Sequence, residues 1–225
     1  EKLAGEIGER HYQVPKAYAA AAEYIETAFI ENKLTPYLET FGDKSQYSNI
    51  IAEVYGLRSP DDIIVVGAHY DTVWMTPGAD DNASGVAVLL ELARELRTRK
   101  LDKTIRFVAF ANEEWPHFLR KDMGSLFHAK RSFDRGDKIH GMISLEMLGY
   151  YSNEPNSQNY PRPFNLFYPR TANFIAFVSN LHSRDFLTDA VRLFRQTQQF
   201  PSEGLTAPIT LVQDVRRSDQ AAFWQ

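Results

Sequence analysis

Ile63-Ile64-Val65-Val66-Gly67-Ala68-His69-Tyr70-Asp71 is the stretch that decides the architecture. An unbroken β-branched run followed by small residues shows no polar alternation, so the strand it forms must be covered on both faces. Helices supply that cover in α/β proteins, and the flanking sequence contains them. Upstream, residues 15–32 place a proline in the first turn and bring Tyr18, Ala22, Ile25 and Phe29 to one face. Downstream of a Pro77-Gly78 turn, residues 84–99 gather Val86, Leu89, Leu90, Ala93 and Leu96 on one face. Residues 49–55, 105–111, 142–145 and 173–179 read as further strands, and 184–195 as a helix with Phe186, Ala190, Leu193 and Phe194. Strands alternating with helices predict an α/β fold, a three-layer α/β/α arrangement around a central mixed, mostly parallel sheet. Residues 151–169, rich in Asn, Ser, Tyr and Pro, read as a long irregular loop of the kind that often carries function.

Composition narrows the chemistry. At 225 residues and 44% hydrophobic content, the chain can bury one large core, which predicts a single domain over residues 1–225. A net charge of -4, from 25 basic and 29 acidic residues, gives no electrostatic basis for binding nucleic acid or an anionic membrane. There is no cysteine, so disulfides, thiolate metal sites and cysteine nucleophiles are excluded, and any metal must be held by histidine and carboxylate. No apolar run reaches the length of a membrane span, and Glu1 opens on helix-like sequence rather than a signal peptide. Compartment and oligomeric state stay open.

Four stretches put acidic or imidazole groups directly after apolar strands, where open α/β sheets carry their sites. His69 and Asp71 follow the run quoted above. The imidazole can take a metal while the carboxylate fixes the ring and its tautomer; taken alone, a capped turn with an ordinary histidine is the plainer reading. Pro77-Gly78-Ala79-Asp80-Asp81-Asn82-Ala83-Ser84-Gly85 sets two adjacent carboxylates before a helix. Capping and the helix dipole account for one of them, but two repel unless a cation lies near. Phe107-Val108-Ala109-Phe110-Ala111-Asn112-Glu113-Glu114 ends a buried strand in paired glutamates. Because successive strand residues point to opposite sides, one can bind metal while the other faces substrate as general base; a solvated strand end is the plainer reading of a lone pair. Ile143-Ser144-Leu145-Glu146-Met147-Leu148-Gly149 repeats the pattern with one carboxylate. Together they form a hard oxygen-and-imidazole set that suits zinc, with cobalt or manganese as alternatives.

These motifs resemble the family of co-catalytic zinc exopeptidases that holds bacterial leucyl aminopeptidases, glutamate carboxypeptidase and, more distantly, glutaminyl cyclases. The likeness is carried by Gly67-Ala68-His69-Tyr70-Asp71-Thr72-Val73, the Pro77-to-Gly85 stretch and Ala111-Asn112-Glu113-Glu114, in the family's order, and runs from near Ala4 to Trp224. It implies two zinc ions: His69 on the first, Asp81 bridging both, Glu114 on the second, and Glu146 completing the first where many relatives carry aspartate. Glu113 is implied as the general base for a metal-activated water, passing its proton to the leaving amine, and Asp71 as the residue that orients His69. The implied activity is that of a metallo-aminopeptidase, a hydrolase acting on a peptide substrate with a free terminus. Ser218-Asp219-Gln220-Ala221-Ala222-Phe223-Trp224 resembles the family's Ser-Asp-His-x-x-Phe-Trp motif with glutamine for histidine, and implies that Asp219 lines or supports the site. The family's last zinc ligand, a histidine in a later Tyr-His segment, has no counterpart before Gln225. The sequence therefore predicts a chain truncated at its C-terminus, with a weak or absent second zinc.

Two rival readings belong to other classes. One is a non-catalytic binding domain, or an inert fragment, on the same fold; the intact Glu113-Glu114 pair argues against it and the missing histidine for it. The other is a glutaminyl cyclase-like acyltransferase, which the same pair and the intact Asp80-Asp81-Asn82 disfavour. Carboxypeptidase or dipeptidase specificity stays open, since terminus recognition is expected in residues 151–169 and beyond Gln225. His11, His128, His140 and His182 are expected to be surface or packing residues, and His117 is a minor candidate for the missing ligand.

Overall fold

The computed structural model describes residues 1–160, 166–208 and 216–224. They form two compact units, Glu1–Leu148 with Ser218–Gln225, and Gly149–Arg217.

The first unit is built on a five-stranded sheet of β1 (Tyr37–Phe41), β2 (Tyr47–Val54), β3 (Ser59–His69), β4 (Lys103–Phe110) and β5 (Lys138–Ser144), in the order β1-β2-β4-β3-β5. β3 is parallel to both β4 and β5, whereas β2 is antiparallel to β1 and β4. The sheet is thus mixed, and its parallel half is the half that carries the motifs. Along β3, Val66 and Ala68 join Ile50, Ala52, Phe107 and Ala109 on one face. Tyr18, Ala21, Ile25 and Phe29 of α1 (Pro15–Glu31) and Val86, Leu89, Leu90 and Ala93 of α2 (Gly85–Leu96) cover that face. Val65 joins Ile51, Val108 and Phe110 on the other, against Phe223 of the short C-terminal helical segment Asp219–Trp224. α3 (Gly124–Arg135) lies on that side as well, with His128 6.0 Å from the Phe110 ring. This is the expected three-layer arrangement. Each fully buried Leu, Ile or Phe in it contributes about 1.5–3 kcal/mol of transfer free energy.

The closest packing bears on the site. A Cβ on Gly67 would lie 2.2 Å from Phe110 Cε2, so the strand that delivers His69 needs glycine two residues earlier. At Gly85 a Cβ would meet Asn82 Oδ1 at 2.3 Å and the Leu145 carbonyl at 2.4 Å, which lets the start of α2 approach the strand end beyond β5.

The second unit holds β6 (Ile175–Ser179), α4 (Arg184–Thr197) and β7 (Ser202–Thr206), with β6 and β7 parallel. Leu187 and Val191 of α4 pack over Gly204. Of the expected irregular loop, residues 161–165 lie outside the described residues, and its described remainder contains no strand or α-helix. Among the described residues no helix is long and apolar enough to cross a membrane.

Candidate active site

Parallel pairing sets the carboxyl ends of β4, β3 and β5 side by side, with His69 opposite Phe110 and Gly67 opposite Ser144. The ladder runs on past the strand ends: Tyr70 N–H donates to the Phe110 carbonyl at 3.0 Å, and Leu145 N–H to the Gly67 carbonyl at 2.8 Å. All the anticipated site residues therefore arrive at one edge. His69 is fully buried. Its Nε2 lies 3.1 Å from Asp81 Oδ1, 3.4 Å from Glu146 Oε1 and 3.9 Å from Glu113 Oε2, while Nδ1 lies 3.4 Å from Asp71 Oδ1.

Asp71 does more than face the ring. Its Oδ1 accepts the Glu113 N–H at 3.0 Å and its Oδ2 the Glu114 N–H at 3.1 Å. One carboxylate thereby couples the orientation of His69 to the strand end bearing both glutamates. Asn112, just before them, adopts a left-handed φ of 58° and accepts the Tyr18 hydroxyl at 2.8 Å.

Asn82 plays the matching part on the other side. Its Oδ1 accepts N–H groups from Gly85 at 3.1 Å and Met147 at 3.3 Å, and its Nδ2 donates to the Leu145 carbonyl at 2.8 Å and Glu146 Oε2 at 3.4 Å. The side chain next to Asp81 thus brackets the segment carrying Glu146. Ser218 Oγ donates to Glu146 Oε2 at 2.7 Å.

The electrostatics are those of an acidic cluster short of positive charge. Burial opposes protonation of His69, yet Glu113, Asp71, Asp81 and Glu146 outweigh it and hold the imidazole pKa well above its usual value. Burial pushes Glu113 well above the carboxylate range; His69 opposes the shift, and Asp219, Asp71 and Glu146 reinforce it. Burial likewise pushes Glu114 up to about 7, against His69 and with Asp81, Asp71 and Glu146 adding to it. Asp81 moves the other way, held below the usual range chiefly by His69. Asp219 is fully buried and its pKa rises to about 7, first through burial.

This donor set fits a divalent cation. One ligand atom each from His69, Asp81 and Glu146 lie within 4.8 Å of one another, and so do those of His69, Glu113 and Glu114. The buried Asp81 Oδ1 and His69 Nδ1 make no hydrogen bond of good geometry. Imidazole with carboxylates is the ligand chemistry of catalytic zinc, and a dication would offset the burial and the repulsion that together raise Glu113 and Glu114.

The structure brings together His69, Asp71, Asp81, Glu113, Glu114 and Glu146, and couples Asp219 electrostatically to Glu113. His117 stands apart, its ring edge-on to Tyr12 and Tyr47, and joins no metal-ligand grouping among the described residues. His128 is buried against Glu39 at 2.9 Å, His11 contacts Glu9 at 2.8 Å, and His140 lies half-exposed beside Asp62. Sequence reasoning missed the bracing by Asn82, Ser218 and, through its buried guanidinium, Arg10. Asn82 and Ser218 sit inside quoted motifs and could have been flagged; nothing around Arg10 in the sequence marks it.

A model of peptidase family M28 matches residues 49–198. Among curated proteins, the chain is 36% identical over 215 residues to YfbL of Escherichia coli (strain K12), covering 91% of this chain and 65% of that protein. It is 48% identical over 85 residues to aminopeptidase YwaD of Bacillus subtilis (strain 168), covering 37% of this chain and 18% of that one. The chain therefore spans less than two thirds of the length of these relatives. Among solved structures, LapB from Legionella pneumophila superposes with a TM-score of 0.72 at 19% identity, over 99% of this chain and 55% of that one, a likeness of fold. With a family match running from β2 to α4, and with its acidic and imidazole groups gathered at the ends of parallel strands, the chain belongs to peptidase family M28.

Proposed function

We propose that this chain is the catalytic part of a zinc metallo-aminopeptidase. The observation that carries the reading is the convergence of His69 Nε2, Asp81 and Glu146 on one point, with Glu113 beside them as a buried carboxyl of raised pKa. Aminopeptidase YwaD, 48% identical over its matched segment, supports the choice of substrate end.

In this reading His69, Asp81 and Glu146 hold the first zinc, and Asp81 and Glu114 are the ligands this chain offers a second. When bound, zinc polarises the scissile carbonyl and makes water nucleophilic near neutral pH. Asp71 orients His69 through Nδ1, leaving Nε2 for the metal. It also fixes the backbone of Glu113 and Glu114 through two amides, so the base and a ligand keep their relative position. Glu113 takes the proton of the attacking water at its carboxylate and returns it to the leaving amine. Burial raises its affinity for a proton, which favours taking one from the attacking water. The substrate is a peptide with a free amino terminus.

The test is hydrolysis of a free and an N-acetylated peptide, with zinc per chain measured on the same samples. The free peptide should be cleaved, the acetylated one spared, and chelation should abolish activity that zinc restores. Glu113→Gln should keep its zinc and lose about 10²–10⁴-fold in kcat. A wild-type chain without zinc, or a Glu113→Gln variant with full activity, overturns the reading.

A further inference from the structure

Arg10 is fully buried, close to the segments that carry His69 and Asp81. Its guanidinium donates to main-chain carbonyls. Nε donates to Tyr70 O at 2.6 Å, Nη2 to Gly78 O at 2.9 Å, and Nη1 to Pro77 O at 2.6 Å and Gly8 O at 3.0 Å. The Arg10 backbone is tied to the same place: its N–H donates to Thr72 Oγ1 at 3.1 Å, and its carbonyl accepts the Thr72 N–H at 3.1 Å.

These partners are not scattered. Tyr70 stands between His69 and Asp71, and Pro77-Gly78 lead into Asp80-Asp81. One planar fork therefore spans the two segments that deliver His69 and Asp81. Gly78 has a φ of +54°, and a Cβ there would lie 3.1 Å from Arg10 Nη2 and 2.4 Å from Thr72 Cγ2, so the turn is shaped to let the fork in. Burial opposes the positive charge and lowers the Arg10 pKa to about 10, while Asp71 and Asp81 act against that shift.

We propose that Arg10 is a positioning residue that sets the spacing of His69 and Asp81 before any metal arrives. The inference rests on the proposed function, in which those two side chains share a zinc. The need is for geometry as well as charge. Lysine offers a compact ammonium on a flexible stem and cannot bridge carbonyls of two segments as a rigid guanidinium does. Carbonyls left unbonded in a buried place then drive the two segments to rearrange.

The experiment compares wild type, Arg10→Lys, Thr72→Val and the core variant Leu89→Ala. Zinc affinity is measured by competition with a chromophoric chelator, and kcat, KM and melting temperature on the same preparations. Arg10→Lys keeps the charge and should bind zinc about 10–100-fold more weakly, the range for groups that orient metal ligands. Its kcat should fall while KM stays within about twofold, the pattern of a displaced reacting group rather than lost uniform binding. Thr72→Val, which leaves the fork intact but loosens its base, should weaken zinc in the same direction by less. Leu89→Ala should lower the melting temperature and leave zinc affinity unchanged. A folded Arg10→Lys with wild-type zinc affinity overturns the proposal; if that variant does not fold, wild-type affinity in Thr72→Val overturns it. Wild type without zinc is seen before any variant is compared; it refutes the proposed function and this inference with it.

Discussion

Replacing Asp219 by asparagine in the metal-free protein measures the cost of burying a carboxylate beside the strand ends. Asp219 has no exposed surface, and neither carboxyl oxygen makes a hydrogen bond of good geometry. Burial is the main cause that moves its pKa from 3.8 to about 7; His69 and Ser125 oppose the shift, and Glu146 and Asp71 add to it. A folded-state pKa above the unfolded value means that the folded chain keeps this proton longer. The stability it contributes is complete below about pH 4 and lost as the pH climbs through about 7. At about 1.4 kcal/mol per pH unit, a gap of roughly three units amounts to a loss on the order of 4 kcal/mol. Urea titrations of chelator-treated protein, at closely spaced values from about pH 4 to 8, measure it directly. Wild-type stability should fall across the window by roughly that much more than the stability of Asp219→Asn, which cannot titrate. Glu113 and Glu114 titrate in both proteins, and because Asp219 helps to raise Glu113, the difference between the curves reports Asp219 together with its coupling to Glu113. Saturating zinc should flatten the wild-type curve, because a cation offsets the buried negative charge. Parallel curves for the two metal-free proteins refute the reasoning.

Two further substitutions address the scaffold. Asp71→Asn keeps one acceptor and turns an amide donor toward the Glu113 or Glu114 N–H, so one buried donor loses its partner; denaturant titration should show a loss of about 1–3 kcal/mol. Gly124→Ala puts a Cβ 2.2 Å from the side-chain Oδ1 of Asn49 and 2.5 Å from the Ala111 carbonyl, the second of these being backbone that cannot retreat. Thermal melts should register about 1–3 kcal/mol of overpacking strain, and hydrolysis should slow, since Ala111 opens the turn into Glu113.

The architecture was legible where burial is apolar and hidden where it is polar. α1 and α2 were anticipated because Ile25 and Leu89 fall at helical spacing, and β3 and β4 because Val65 and Phe107 sit in apolar runs. β1 and α3 were missed, and a buried polar network joins them. α3 buries Gly124, Ser125, His128 and Ser132, so its inward stripe is polar and shows no hydrophobic periodicity. β1 buries Glu39, whose Oε2 accepts from His128 at 2.9 Å and from Asn49 at 3.0 Å. The interior position of His128 is the work of these partners, which lie 89 and 79 residues away along the chain. β5 begins at Lys138, earlier than residue 142, because a half-exposed edge strand tolerates Lys138 and His140. The candidate site followed the same division. His69, Asp81, Glu113, Glu114 and Glu146 each stand just beyond an apolar run or a Pro-Gly turn, which a reader can see; Arg10 acts 60 residues from Tyr70, and only the folded chain brings them together.

The side-by-side strand ends of β4, β3 and β5 also fix a length. Neighbouring strands stand about 4.8 Å apart whatever side chains they bear, because main-chain hydrogen bonds set that distance. The main chain entering the His69, Glu113 and Glu146 segments is therefore indexed to a backbone ruler, and core volume plays little part. A methylene lost beneath the sheet changes how firmly the ruler is held, not its graduations. Insertions in the turns beyond the strand ends can reshape what meets the site and leave that spacing as it was.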